Sequence, residues 1–366
     1  MWKFCVIRRH CHADPLFARS EALKAAVVER YGGPDVLKIQ DVPIPSPGPV
    51  QVLVRVRAIG LNFADIIARW GVYPGTPKPP FVPGLEFSGE VVAVGLEVTR
   101  FRGRERVMGY SRLGSHAEYL AVDERLVAPI PESMSFEQAA AFPVAFMTAY
   151  HGLIELSHLR GGERLLVHAA AGGVGTATVQ LAKHLGAEVF ATAGSREKLV
   201  VAGEAGASHV INYRSENFAQ RVRSLTGGYG VDVVMDSVGG RVFRQSWSLL
   251  AGMGRYILYG LSDVSGPGRL SKLRALRVYA QMGLLVPAGL ISKNKTISGF
   301  NLGTLLGKER YFEEAGRALL RLYAEGVLNP VIGRVFPFKE IVTAHTELQS
   351  GRTFGKVVVV HERNDS

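Results

Sequence analysis

The chain has 366 residues and a mass of 39.7 kDa, more than one hydrophobic core usually organises, and its 47% hydrophobic and 20% charged residues exclude disordered and fibrous classes. Forty-three Lys and Arg against 32 Asp and Glu give a formal charge of +11 and a pI near 9.7, a balance that invites a polyanionic partner. Its distribution removes that reading for most of the chain: residues 264–308 hold seven cations and no acid, residues 1–24 hold five cations against two acids, and the remainder is nearly neutral with no nucleic-acid-binding motif.

Residues 1–23 have no strand or helix period and read as an N-terminal extension, expected to be disordered. The chain's two cysteines, Cys5 and Cys11, both lie there, so the body carries no disulfide framework and no Cys-based zinc site. His10-Cys11-His12 lacks further ligands at finger-like spacing. No uninterrupted apolar stretch reaches the roughly 18 to 20 residues of a spanning helix, and the expectation is a soluble cytoplasmic protein.

From Lys24 the pattern turns to short β-rich stretches punctuated by Pro and Gly. Val52, Val54 and Val56 alternate with Gln51, Arg55 and Arg57, the period of a half-buried antiparallel strand. Pro43, Pro45, Pro47 and Pro49 forbid a helix before it, so residues 24–146 are expected to form a small β-barrel or sandwich domain. Beyond them, compact apolar strands alternate with helical stretches: Glu163 to Ala169, Glu188 to Ala193, His209 to Ile211 and Val231 to Asp236 are separated by helices around 176–185, 196–205 and 218–225. Such alternation predicts an α/β, doubly wound parallel sheet over residues 147–305. Within it, 264–296 is a basic insertion; residues 306–366 are expected to return to the first domain, ending on a strand at Gly355 to Val360.

A strand that ends in Ala170-Ala171-Gly172-Gly173-Val174-Gly175 and opens a helix is the setting in which a Gly-rich turn binds a dinucleotide. Gly172, Gly173, Val174 and Gly175 would let the backbone approach a pyrophosphate, whose charge meets free amides and the helix dipole. Folds that prefer NADH carry an acid at the tip of the next strand. Here the strand ends Ala193-Gly194-Ser195-Arg196-Glu197-Lys198, which leaves room and positive charge for a 2′-phosphate and favours NADPH. Glu197 more naturally supports the helix dipole. Tyr213, after the third strand, is a further candidate for this corner, with packing as its alternative role.

Taken in order, Gly60 to Asp65, Pro83 to Gly89, Thr148-Ala149-Tyr150, Ala170 to Gly175, Val231 to Gly240 and Gly355-Lys356-Val357 resemble the medium-chain dehydrogenase/reductase superfamily. Within it the chain is similar to the zinc-independent quinone oxidoreductases, and Gly299 to Gly303 with the insertion before it looks most like the vesicle amine transport protein branch. The resemblance implies a GroES-like catalytic domain joined to a Rossmann cofactor domain. Zinc-dependent members place a Cys in the segment matching Gly60 to Asp65 and a His before the Glu of the second motif. Asn62 and Leu85 stand there in this chain, and neither suits zinc, so no metal is expected.

Without a Lewis acid, the implied chemistry is hydride transfer from NADPH to a quinone or an α,β-unsaturated carbonyl. The resemblance places Asn62, Asp65 and Thr148 near the nicotinamide, and Tyr73 is the candidate donor to the substrate oxygen. Asn62 and Asp65 have capping as their alternative role, and Tyr73 has cleft lining. Ser237, Val238, Tyr259, Gly260, Phe300, Asn301 and Leu302 are further cofactor candidates by strand-end topology, with Arg352 and Lys356 as weaker ones. His151, His158, His168 and His209 read as structural. The resemblance also implies a homodimer. The rival reading is an NADPH-binding protein with a mainly non-enzymatic role at a membrane or lipid surface, since cations and apolar residues interleave between Leu270 and Leu285.

Overall fold

The computed structural model describes residues 22–264, 270–284, 287–305 and 307–362. Almost the whole of the expected N-terminal extension lies outside these residues, as does part of the basic insertion.

The first domain begins with β1 (Ala22–Val28) pairing antiparallel with β2 (Leu37–Pro43) in register from Ala22–Pro43 to Val28–Leu37. After the proline run comes β3 (Gln51–Leu61), whose valines at 52, 54 and 56 are buried while Gln51, Arg55 and Arg57 reach toward solvent. Helix α1 (Phe63–Arg69) follows directly, then β4 (Glu86–Val94), β5 (Arg106–Tyr110), β6 (Tyr119–Asp123) and β7 (Val127–Pro129). β3 is central because it pairs with β4 and β6 and, much later, with the last strand of the chain.

Two short helices, α2 (Phe136–Ala140) and α3 (Pro143–Tyr150), lead into the second domain, and α3 runs on as a π-helical turn over His151–Leu156. Then follow β8 (Arg164–Val167), α4 (Gly173–His184), β9 (Glu188–Ala193), α5 (Arg196–Glu204), β10 (His209–Asn212), α6 (Phe218–Leu225), β11 (Val231–Asp236), α7 (Gly240–Trp247) and β12 (Leu250–Leu258). After them lie α8 (Leu270–Met282), α9 (Pro287–Lys293) and β13 (Thr296–Gly299). The sheet is parallel in the order β10-β9-β8-β11-β12-β13. The first strand is therefore internal, and the order reverses between β8 and β11, which opens a crevice at their carboxyl ends. Because helices cover both faces, the strand interiors are apolar; Leu165, Leu166, Val167, Phe190 and Val233 are fully buried.

The segment after residue 306 begins by bridging the two domains. Helix α10 (Glu309–Ala324) still packs through Leu319 and Leu322 into the core built by α3, α4 and β8, because its apolar stripe faces Phe146 and its neighbours there. The same helix touches the barrel through Phe312 on Tyr110 and Glu313 on Arg100, and β14 (Ile332–Pro337), α11 (Ile341–Gln349) and β15 (Lys356–Val360) complete the return, with β15 parallel to β14 and antiparallel to β3. On its way the chain bridges to the second domain, since the Gly355 amide donates to the Ala171 carbonyl at 2.7 Å.

Within the basic insertion α8 packs on α7 through buried Val278, while Leu276, Tyr279, Leu284 and Ile291 stand exposed. Ala275–Lys293 has the length and mean apolarity of a spanning segment, yet it contains Arg277 and is divided between α8 and α9.

Candidate active site

The crevice is floored by the glycine loop. Beyond β8 the chain turns through Ala169, at a φ of 51°, and Gly172 opens α4 in an extended conformation. The first intrahelical bond runs from the Thr176 amide to the Gly172 carbonyl at 2.8 Å, so the amides of Gly173, Val174 and Gly175 precede the helical ladder. A side chain at 175 would press within 2.6 Å of the Ala170 backbone, so glycine there lets helix and strand approach. The loop suits an anionic pyrophosphate.

At the tip of β9, a Cβ on Gly194 would lie 2.5 Å from the Tyr213 hydroxyl and 3.2 Å from the Arg214 guanidinium. Lys198 approaches from α5 and donates to the Gly351 carbonyl at 2.5 Å; burial, and then Arg214, hold its ammonium below the usual lysine range. Ser195 caps α5 by accepting the Lys198 amide at 3.3 Å. Glu197 points to solvent from the first turn of α5. The corner thus joins Lys198, Tyr213 and Arg214 with no carboxylate at the strand tip. Arg214 was not singled out in the sequence, although its place beside Tyr213 is the signal that would find it. Arg352, one residue beyond Gly351, is exposed and turned to Glu347 at 3.5 Å, a surface pairing that leaves it at the rim.

Deeper, at the junction of the domains, Glu86, Asn62 and Lys356 form a buried cluster. The Lys356 ammonium lies 2.5 Å from Glu86 Oε1, and Asn62 Nδ2 donates to the same oxygen at 2.7 Å. Glu86 Oε2 accepts the Val144 amide at 2.8 Å, which ties the start of α3 to the cluster. This corrects the expectation for Lys356 as a cofactor ligand: its ammonium is spent within the protein, because fully buried Glu86 requires a counter-charge, and only its methylenes pass the loop, beside Gly173. Asp65 is likewise withdrawn. Its carboxyl has no exposed surface, accepts the Asn62 amide at 2.7 Å and is pushed up to about 7 by burial, so it braces the Asn62 turn as a cap and does not line the crevice.

Across the crevice, the Tyr73 hydroxyl donates to Asn301 Oδ1 at 2.9 Å, and Asn301 also accepts the Gly303 amide at 2.9 Å. Burial raises the Tyr73 phenol above its ordinary range, so it stays protonated as a donor. Tyr110, not anticipated from sequence, brings a second phenol to Gly303; its oxygen is buried without a hydrogen-bond partner and its ring stacks on Phe312 at 6.3 Å. Phe300 packs between His151 at 4.6 Å and Tyr259 at 6.2 Å, and the His151 ring meets the Tyr311 hydroxyl at 2.7 Å. Burial lowers the His151 pKa, which keeps the ring neutral in this aromatic wall.

The remaining candidates divide. Ser237 and Gly260 adjoin at the ends of β11 and β12, within the crevice. The Val238 amide is taken by Asp236 at 2.7 Å and Leu302 is buried, so each shapes the wall and neither offers a free polar group. Thr148 is buried on α3, and its hydroxyl donates to the Val144 carbonyl at 2.7 Å, leaving its lone pairs available. His168 bridges Thr192 and Ser246 at 2.9 and 2.7 Å in the interior, a structural role.

Zinc does not fit this cluster. Asn62 and Leu85 offer neither thiolate nor imidazole, an ammonium already neutralises Glu86, and among the described residues no group of three His, Cys, Asp or Glu is arranged to hold a metal ion.

Two family models match the chain: the alcohol dehydrogenase GroES-like domain over residues 48–132 and the zinc-binding dehydrogenase over residues 205–359. The human synaptic vesicle membrane protein VAT-1 homolog is 38% identical over 343 residues, covering 92% of this chain and 86% of that protein. The structure of Escherichia coli quinone oxidoreductase complexed with NADPH superposes with a TM-score of 0.82 at 32% identity, covering 92% of this chain and 99% of the other. CurK enoyl reductase superposes with a TM-score of 0.79 at 29% identity over 94% of this chain and 100% of its own.

Proposed function

Since the chain belongs to the medium-chain dehydrogenase/reductase superfamily, with quinone oxidoreductases and VAT-1 homologues among its near relatives, we propose that it is a zinc-independent, NADPH-dependent reductase of quinones or α,β-unsaturated carbonyls. The observation that carries this reading is the pairing of a glycine loop and a cationic corner of Lys198, Tyr213 and Arg214 with a cleft whose donor set does not suit a metal.

Bound NADPH would supply the hydride. Gly173 to Gly175 hold the pyrophosphate, while Lys198, Tyr213 and Arg214 hold the 2′-phosphate. Phe300, Tyr259 and His151 exclude water beside the nicotinamide end, which strengthens every polar contact there. Tyr73, released from Asn301, donates its proton or hydrogen bond to the acceptor oxygen as negative charge develops, and solvent returns that proton. No metal is needed, because the conjugated acceptor spreads the incoming charge onto the oxygen that Tyr73 meets.

Purified protein should oxidise NADPH in the presence of a panel of quinones and enones, with the reduced acceptor identified by mass. Intact NADPH binding with no turnover on any member would overturn the enzymatic reading. A cytoplasmic homodimer is part of the same proposal, checked by fractionation and light scattering.

A second reading rests on the exposed Leu276, Tyr279, Leu284 and Ile291 beside Arg277: contact of this face with an anionic lipid surface. Co-sedimentation with phosphatidylserine vesicles, with and without residues 264–296, tests it; equal binding excludes that segment.

A further inference from the structure

The Asn62 carboxamide is nearly exhausted by its neighbours. Nδ2 carries two hydrogens, and both are directed, one to Glu86 Oε1 at 2.7 Å and one to the Gly60 carbonyl at 3.2 Å. Oδ1 accepts from the Lys356 ammonium at 2.8 Å. This orientation is chemically forced, since an ammonium can only donate and a carboxylate can only accept. Lys356 is equally committed: its three hydrogens go to Asn62 Oδ1, Glu86 Oε1 and, at 2.8 Å, the Leu61 carbonyl. In the capping turn the Asp65 amide donates to the Asn62 backbone carbonyl at 3.0 Å, so the second lone pair of Asn62 Oδ1 is left over.

We infer that Lys356 is a positioning residue: it locks the Asn62 amide so that Asn62 serves as an acceptor for a donor group on the nicotinamide half of the cofactor and not as a donor to a substrate oxygen. The inference rests on the NADPH reading above. It also assigns the substrate oxygen to the phenols across the crevice: Tyr73, once its single hydrogen leaves Asn301, with the buried and unpartnered Tyr110 hydroxyl beside it. Lys356 is well placed to couple the two halves of the site. Its methylenes pack within 2.5 Å of where a Cβ on Gly173 would stand, and the preceding Gly355 is bonded to Ala171, so loop and amide share one support.

The test compares NADPH with adenosine 2′,5′-bisphosphate, a probe that has the phosphate corner but no nicotinamide. The paired variant Lys356→Met with Glu86→Gln removes the ammonium without stranding a buried charge. It should raise the NADPH Kd about tenfold and move the bisphosphate Kd less than twofold, as expected for one lost hydrogen bond. Asn62→Ala should cost about the same tenfold in the native background and nothing more in the paired variant. Equal weakening of both ligands, additive losses, or an unchanged NADPH Kd would each overturn the inference while leaving the NADPH reading intact. A native protein that binds neither ligand would overturn both. Should the paired variant not fold, the native protein decides by NMR of its Asn-labelled side-chain amides. The Asn62 Nδ2 protons should exchange slowly and keep their shifts when a quinone is added to the NADPH complex; fast exchange, or a shift on quinone binding, would refute the acceptor role.

Discussion

The Tyr73 hydroxyl donates to Asn301 Oδ1 at 2.9 Å, a bond between the barrel and the cofactor domain at the mouth of the crevice. The contact holds the segment that follows β13 against the barrel with one hydrogen bond, worth about 1 kcal/mol, and occupies the phenol's only hydrogen until an acceptor oxygen takes it over. Removing the hydroxyl therefore tests catalysis more than folding. Tyr73→Phe should lower kcat with a quinone or enone by about 10- to 100-fold while the NADPH Kd stays within about threefold, measured by steady-state kinetics and fluorescence titration.

The cationic corner predicts cofactor choice. Lys198→Ala and Arg214→Ala should each weaken NADPH by about 10- to 100-fold, the value of a hydrogen bond to a charged group, and leave NADH nearly unchanged. Michaelis constants for both cofactors check this, and equal losses would detach Lys198 and Arg214 from the 2′-phosphate.

Burial of the Glu86–Lys356 pair makes half of it dangerous. Glu86→Gln alone leaves the Lys356 ammonium buried without a counter-charge and should cost about 3 to 5 kcal/mol in urea unfolding. Adding Lys356→Met should recover most of that loss, because no charge is then stranded. A single variant as stable as the native protein would mean the pair is hydrated.

Asp65 and His116 give stability opposing dependences on pH. Burial raises the Asp65 carboxyl to about 7 from an ordinary value of 3.8, so the folded state binds more protons between these values and its stability falls as pH rises from about 4 to 7. His116, with Asp65 Oδ2 at 3.9 Å, is pushed down to about 3 by burial, and its contribution is lost as pH falls below its ordinary 6.5. Burial lowers His345 and His361 in the same direction. Asp65→Asn removes the first dependence only. Its stability relative to the native protein should rise by roughly 2 to 3 kcal/mol between pH 5 and pH 8, read from urea midpoints. A pH-independent difference would show that Asp65 does not titrate in this range.

Local pattern was sufficient for much of this protein. Period-2 valines from 52 to 56 specify a half-buried strand, and the pattern at 163–185 specifies a strand, a glycine turn and a helix, because each depends on neighbours only a few residues away. The absence of Cys and His at positions 62 and 85 was legible for the same reason. Tertiary structure alone decided what the polar residues do. Asn62 and Lys356 are 294 residues apart, and in the sequence Lys356 is one cation among 43, readable as a weaker cofactor candidate. β15 lays it beside Glu86, where the cost of burying a charge is offset only by its partner. Asp65 reads as a site residue until α1 sinks it into the barrel, and Tyr110 carries no sequence signal until α10 and the 300–304 segment converge on it. A hydrogen bond or ion pair between distant segments depends on where packing brings them, and no periodicity records that.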